Sequence, residues 1–247
     1  MNAISSTNDA PYVLEAKDVA IHYGGVKALD GVTLTLKKGQ IRGLIGPNGA
    51  GKSTVIDAIT GRRRLTRGQV LLQGDDVSEL DAVARRRRGL SRSFQRTSVF
   101  AEMKVRQQVE LASHKMGVAD SDADADAVLR ELDLLRLANA TAEDLGYGEQ
   151  RRLDLALALV GRPSVLLLDE PMAGLSVQES HDLASHLKQL IARWSVSVLL
   201  VEHDMDVVFG ISDEITVFEL GRVIASGNPA EVRANPRVRE AYLGSAA

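Results

Sequence analysis

The stretch "GPNGAGKST", Gly46 to Thr54, sets glycines, a lysine and two hydroxyls at the spacing Gly-x-x-x-x-Gly-Lys-Ser/Thr. It lies between an apolar run, Gln40 to Ile45, and a helical pattern that starts at Lys52 and is closed by Gly61. Glycines let backbone N–H groups crowd around phosphate oxygens, and a helix N-terminus adds a favourable partial positive charge. Lys52 is placed to reach β- and γ-phosphates, and the Ser53 hydroxyl to ligate Mg²⁺. The candidate nucleotide-binding set is therefore Gly46, Pro47, Asn48, Gly49, Ala50, Gly51, Lys52, Ser53 and Thr54.

A second set fits the first. In "VLLLDEP" the carboxylates of Asp169 and Glu170 follow a buried-strand run, and open α/β sheets bind ligands at the carboxyl ends of their strands. There Asp169 would hold Mg²⁺ through water. Glu170 would orient an attacking water, the step that separates a hydrolase from a nucleotide binder. A third stretch, "DLGYGEQRRLDLALALV", puts Gly146 and Gly148 either side of Tyr147 just before a long apolar helix. Glycine costs a helix about 1 kcal/mol against alanine, so this pair points to something approaching the backbone. Arg151 and Arg152 open the helix, where its dipole does not favour cations, and are expected to pair with nearby acids.

The elements that must carry these residues read as α/β. "YVLEAKDVAIHY" and "VTLTLKKGQIRGLI" alternate apolar and polar residues around turns at Gly24-Gly25 and Lys38-Gly39. "GQVLLQGDDV" is a further short strand and turn. Residues 100 to 160 are helical with almost no strand signal. "SVLLLDE" and "VSVLLVEH" are buried strands separated by a helix from Val177 to Trp194, and "EITVFELGRVIASG" is a strand pair turning near Leu220-Gly221. Asn228-Pro229 caps a closing helix. The order implies a P-loop core with a mostly parallel sheet, an N-terminal antiparallel β portion and an inserted helical subdomain over about 96–160. Residues 12–247 then form a single domain behind a disordered lead-in, 1–11.

Composition bounds the function. The 247 residues carry a net charge of -3, with 45% hydrophobic and 26% charged residues, the balance of a soluble globule. That charge argues against a dedicated nucleic-acid binder. The absence of cysteine excludes disulfides and thiolate chemistry and fits a cytosolic chain. No apolar run approaches the roughly 20 residues of a spanning helix, and "MNAISSTNDAP" has neither the basic start nor the apolar core of a signal peptide.

With these motifs in this order, the chain resembles the nucleotide-binding subunits of ATP-binding cassette (ABC) transporters from about Tyr12 onward. The resemblance implies ATP and Mg²⁺ as cofactors and adds site residues. Tyr23 lies where the family has an aromatic that stacks on adenine. Gln95, in "SRSFQRTSVF", matches the glutamine that senses Mg²⁺ and the γ-phosphate; His203, in "LLVEHD", matches the switch histidine. "LGYGEQ" occupies the place of the signature Leu-Ser-Gly-Gly-Gln, which presents a helix N-terminus to the ATP of a second subunit. Gly146, Gly148 and Glu149 are its candidate contacts, with Gly146 in place of the usual serine and Tyr147 in place of a glycine. Departures continue at "AGLS", where Ser176 replaces an aspartate, and at Gln107-Gln108-Val109 in place of Glu-Asn-Leu.

Within the family, "YGEQRRL", "VEHDM", "GISDEITVFELGRVIASG" and "NPRVREAYLG" are similar to the subunits that power branched-chain amino-acid import. Related systems carry urea and other small amides or carboxylates. Implied partners are membrane permease subunits, a second cassette subunit (a copy or a relative) and, indirectly, a solute-binding protein. The implied location is the inner face of the cell membrane. The alternatives are a soluble cassette ATPase with a nucleic-acid or assembly role and a lipopolysaccharide-export ATPase. A lone kinase would leave Gln95, His203 and the signature without a role.

Other features read as structural. "RRRRG", Arg85 to Gly89, is expected to be a solvated helix face, as is the basic run after Gly61. Asp120, Asp122, Asp124 and Glu131 have calcium-loop spacing, but Ala125 stands at the turn glycine and the alanines favour a helix start. His22, His114, His181 and His186 form no convincing metal pair and are expected at the surface.

Overall fold

The structure, a computed structural model, describes residues 12–93 and 98–240; the lead-in 1–11 and Gln95 lie outside the described residues. The chain begins with strands β1 (Tyr12–Tyr23), β2 (Val26–Lys37) and β3 (Ile41–Ile45), then helix α1 (Lys52–Ile59). Strands β4 (Arg67–Leu72) and β5 (Asp75–Asp76), helix α2 (Ala82–Arg87) and strand β6 (Leu90–Ser93) lead to the helical part. That part holds α3 (Val105–Lys115), α4 (Ser121–Glu131) and α5 (Tyr147–Leu159), within the region expected to be helical. The chain then returns to the sheet through β7 (Val165–Asp169), α6 (Val177–Trp194), β8 (Ser197–Val201), α7 (Met205–Ile211), β9 (Glu214–Glu219) and β10 (Arg222–Gly227). Short helices α8 (Pro229–Ala234) and α9 (Pro236–Val238) follow, and Asn228 caps the first through Glu231 N.

Among the described residues there are two sheets. The N-terminal one, ordered β2-β1-β4-β5, is antiparallel; the second, ordered β10-β9-β3-β8-β7-β6, is parallel except for its β9–β10 edge. Strands β3, β7 and β8 are buried at every position, which is why they read as apolar runs rather than as alternation. The pleat sends successive side chains to opposite layers. From β7, Val165 and Leu167 join α1 and the N-terminal sheet in one core; Leu166 and Leu168 join α5 and α6 in another. Helix α1 is thus packed between the sheets through Val55, Ile56 and Ile59, each fully buried. Burying such a side chain contributes about 1.5–3 kcal/mol, and the packing fixes the helix end that carries Lys52. The core on the other face runs without a break from Leu166 and Leu168 to Val105, Val128 and Leu153 of the helical part.

Strand β6 was not foreseen. Its four residues, "LSRS", carry no hydrophobic period, yet they pair in parallel with β7 from Leu90–Val165 to Ser93–Leu168.

The arginine run also differs from expectation. Arg87 and Arg88 are exposed, but Arg85 is 1% exposed. Its guanidinium donates to the carbonyls of Ala58 and Ile59 at the end of α1, and to those of Leu80 and Ser78. Arg86 donates to Val160 O at the end of α5. Unpaired carbonyls and the negative dipole end of a helix attract cations, so these two side chains cap two helices. Burial pushes both guanidinium pKa values down.

The acidic stretch is a helix start, as read: Asp120 caps α4 through Ala123 N, and Asp122 and Asp126 bind Arg106 of α3. Among the described residues no cluster is suited to a metal ion. His114 and His181 are exposed, whereas His22 and His186 are half-buried, and His186 Nε2 lies 3.0 Å from Asp133 Oδ2.

Candidate nucleotide site

The loop Gly46–Gly51 leaves the end of β3 and enters α1. A Cβ at Gly46 would stand 2.8 Å from Phe218 O, and Gly51 has φ +106°, so both positions require glycine. The loop is braced from outside: Gly221 N, in the β9–β10 turn, donates to Ala50 O at 2.9 Å, and Asp30 N donates to Gly221 O at 2.9 Å. The turn that closes β9 and β10 therefore holds the loop from behind. Ser53 is exposed and Thr54 half-buried.

Lys52 is buried, and its ammonium folds back onto the carbonyls of Gly46 and, at 3.0 Å, Pro47. Burial pushes its pKa down, opposed by Glu170 and Asp169. A buried ammonium satisfied by loop carbonyls, next to glycines that admit no side chain, is a donor set that fits phosphate oxygens.

Asp169 ends β7 and is 5% exposed. Arg92 of β6 donates to its Oδ2 at 2.8 Å and also binds Asp57 of α1. Burial pushes the Asp169 carboxyl pKa up, and Arg92 pulls it back. Asp169 ends β7, and Ser53 follows β3 on the far side of β8; a carboxylate and an exposed hydroxyl are oxygen donors of the kind a hard cation such as Mg²⁺ takes.

Glu170 follows with φ +52°, in the left-handed region, and its N–H donates to Val201 O at 2.9 Å. His203 lies just past β8 with its side chain 71% exposed. Between them is a carboxylate that the sequence did not single out. Glu202 is buried, accepts from Met172 N at 2.8 Å and His203 N at 3.2 Å, and lies 3.6 Å from His203 Nδ1. Burial pushes its pKa up, and the two amides pull it back.

Tyr23 ends β1 half-exposed, with the Arg63 guanidinium 6.0 Å from its ring centre. Its face is thus already a platform for a flat cation.

At the other end of the molecule's motif set, Gly146 is the N-cap of α5 and has no side chain to cap with. Glu149 Oε2 accepts from Gly146 N at 3.1 Å, while its other oxygen binds Arg136 at 2.8 Å. The Tyr147 hydroxyl donates to Ala173 O at 3.0 Å, and a Cβ at Gly148 would stand 2.8 Å from Glu179 Oε1. Gly146, Tyr147, Gly148 and Glu149 line a cavity of about 300 Å³ with Arg152 and Leu175. Ser176, in the aspartate's place, caps α6 in a reciprocal box with Glu179.

Arg151, expected to pair with acids, grips the backbone. Arg151 is 2% exposed, and its Nη2 and Nε donate to the backbone carbonyls of Glu170 and Pro171 at 2.6 and 2.9 Å. Arg152 does act on an acid: it helps Ser176 hold the Glu179 pKa down. Gln108 is 2% exposed and clamps the loop after residue 97, accepting from Phe100 N and donating to the carbonyls of Phe100 and Met103.

Comparison with known proteins gives the family. A model of the ABC transporter family matches residues 29–173, and a model described as the branched-chain amino acid ATP-binding cassette transporter matches residues 222–247. The high-affinity branched-chain amino acid transport ATP-binding protein BraF of Pseudomonas aeruginosa is 38% identical over 251 residues, 95% of this chain and 98% of BraF. LivG of Escherichia coli K12, a protein of the same description, has the same identity and coverage. The ADP conformation of MJ1267, an ATP-binding cassette of an ABC transporter, superimposes with a TM-score of 0.84 at 28% identity, covering 96% of this chain and all of that one. The chain belongs to the ABC transporter family, as an ATP-binding cassette that hydrolyses ATP. No helix among the described residues is long and apolar enough to cross a membrane.

Proposed function

We propose that the chain powers import of branched-chain amino acids, or of a closely related small amide or carboxylate. It would act on the inner face of the cell membrane, with permease subunits and a second cassette subunit, and with a solute-binding protein acting on the outer side. The observation that carries the cargo is the match of residues 222–247 to the branched-chain model, added to full-length likeness to BraF and LivG.

In this reading ATP binds the loop Gly46–Thr54 with its adenine on Tyr23. Lys52 leaves the carbonyls of Gly46 and Pro47 for the β- and γ-phosphates. Ser53, Asp169 and Gln95 hold Mg²⁺, which supplies charge neutralisation on the phosphates. Glu170 orients the attacking water and His203 closes on the γ-phosphate. Gly146, Gly148 and Glu149 of the second subunit complete the site through a helix N-terminus.

The cleft beside the described end of β6 suits a permease segment. It has a volume of about 320 Å³ and is lined by Leu90, Leu157 and Ala158 together with Arg86, Arg92 and Asp154, among others. Closure on ATP would be transmitted there.

The test is a pull-down of the tagged chain from detergent-solubilised membranes, followed by an import assay with radiolabelled leucine. Polytopic permease chains and ATP-dependent leucine uptake are the expected result. Only soluble partners, or permeases whose transport ignores leucine, would refute the cargo or the transport role.

A further inference from the structure

Glu170 is a non-glycine residue at φ +52°, a conformation that its Cβ disfavours and that persists only where neighbours hold it. Four successive residues of its turn are held. The Glu170 carbonyl accepts from Arg151 Nη2 at 2.6 Å and the Pro171 carbonyl from Arg151 Nε at 2.9 Å. The Met172 amide donates to Glu202 at 2.8 Å, and the Ala173 carbonyl accepts from the Tyr147 hydroxyl at 3.0 Å.

Two of these holders are ionisable and buried: Arg151 is 2% exposed and Glu202 1%. Burying charges has a high desolvation cost unless their hydrogen bonds are satisfied. Both side chains meet the same short turn. The guanidinium is a planar fork whose donors are fixed relative to one another, so gripping consecutive carbonyls sets the direction in which the Glu170 side chain leaves the backbone.

The grip also joins distant motifs. Arg151 and Tyr147 belong to the first turns of α5, which Gly146 caps. Glu202 uses its second oxygen to accept from His203 N. A continuous line of contacts therefore runs from the α5 start, through residues 170–173, to His203.

We propose that Arg151 and Glu202 are positioning residues for Glu170, and that Arg151 and Tyr147 make the α5 start and the hydrolytic turn move as one unit. This rests on the proposed pairing of cassettes, in which the α5 start meets the nucleotide of the other subunit.

The test uses Arg151→Met, Arg151→Lys and Glu202→Gln in the full chain. Steady-state ATPase is read beside amide hydrogen exchange over residues 170–173. Arg151→Met is expected to lower kcat at least tenfold with KM within twofold, and Arg151→Lys to recover part of the rate. Both Arg151→Met and Glu202→Gln should speed exchange at Met172 while β7 and β8 stay protected. If Arg151→Met does not fold, the other two variants, which nearly conserve volume, decide the matter. Wild-type exchange and kcat in the variants would overturn the proposal, as would a rise in KM alone. A wild-type chain that fails to pair on ATP would sink the pairing, whereas exchange at 170–173 judges the positioning role by itself.

Discussion

Arg92 and Asp169 form an ion pair at 2.8 Å in which both side chains are nearly buried, at 11% and 6% exposure. The arginine comes from β6, the aspartate from β7, and Asp57 of α1 completes the group. The carboxylate proposed to hold Mg²⁺ therefore has a protein cation beside it, and the same cation ties α1 to the sheet. Replacing Arg92 with methionine leaves Asp169 buried without this counter-charge. Breaking a buried pair from one side costs about 3–5 kcal/mol. Urea denaturation of Arg92→Met should show a loss of that order, and an unchanged midpoint would show that the pair contributes nothing to folding.

Glu202 gives the protein a pH signature. Because burial raises its pKa, the native chain keeps a proton that the unfolded chain has already released above the ordinary carboxylate value near ~4.3. The native state binds more protons in that window, so the contribution of Glu202 to stability is present below it and is lost as pH rises through the raised value. Glu202→Gln cannot titrate. Its unfolding free energy should fall less steeply than that of the wild type as pH rises above the ordinary carboxylate range. Parallel curves from denaturant titrations at several pH values would contradict this.

Much of this arrangement was legible because its signals are local. The loop Gly46–Thr54 and the helix Val177–Trp194 were bounded by glycine, cap and period, each read within a few residues. Asn228 is a cap of the same local kind, whereas Ser176, read only as standing in an aspartate's place, is shown to be a cap by the structure. Arg85 and Arg86 were misread because what they bind, the carbonyl ends of α1 and α5, comes from elements far away in the chain. The carbonyl bonds of Arg151 were hidden for the same reason, since no side-chain type announces a backbone partner. Glu202 was passed over beside the more familiar His203. Strand β6 is too short and polar to show a period, and its partner β7 alone reveals it.

Gly146 offers a gain-of-function test. A Cβ there would stand 3.8 Å from Glu149 Oε2, an ordinary contact, and the residue has φ −61°, so serine fits without strain. As an N-cap, serine differs from glycine by only a few tenths of a kcal/mol. Its hydroxyl would add a donor toward the γ-phosphate of the second subunit, where a hydrogen bond to a charged group contributes about 1.5–3 kcal/mol. Gly146→Ser should leave the thermal midpoint nearly unchanged and lower the ATP concentration needed for pairing by roughly tenfold or more. Sedimentation velocity across an ATP series measures this, and an unaltered midpoint for pairing would place the α5 start away from the nucleotide.

Everything turns on Glu170 as the residue that readies water against ATP held by Lys52 and Asp169. The direct measurement is single-turnover ATP hydrolysis by Glu170→Gln with Mg²⁺, with bound nucleotide and oligomeric state followed in the same sample. The amide keeps the size and one acceptor oxygen but loses the charge that orients water. The account predicts nucleotide binding equal to wild type, no turnover, and a cassette pair trapped on ATP. Hydrolysis at the wild-type rate would contradict it and move the water-activating role to another group.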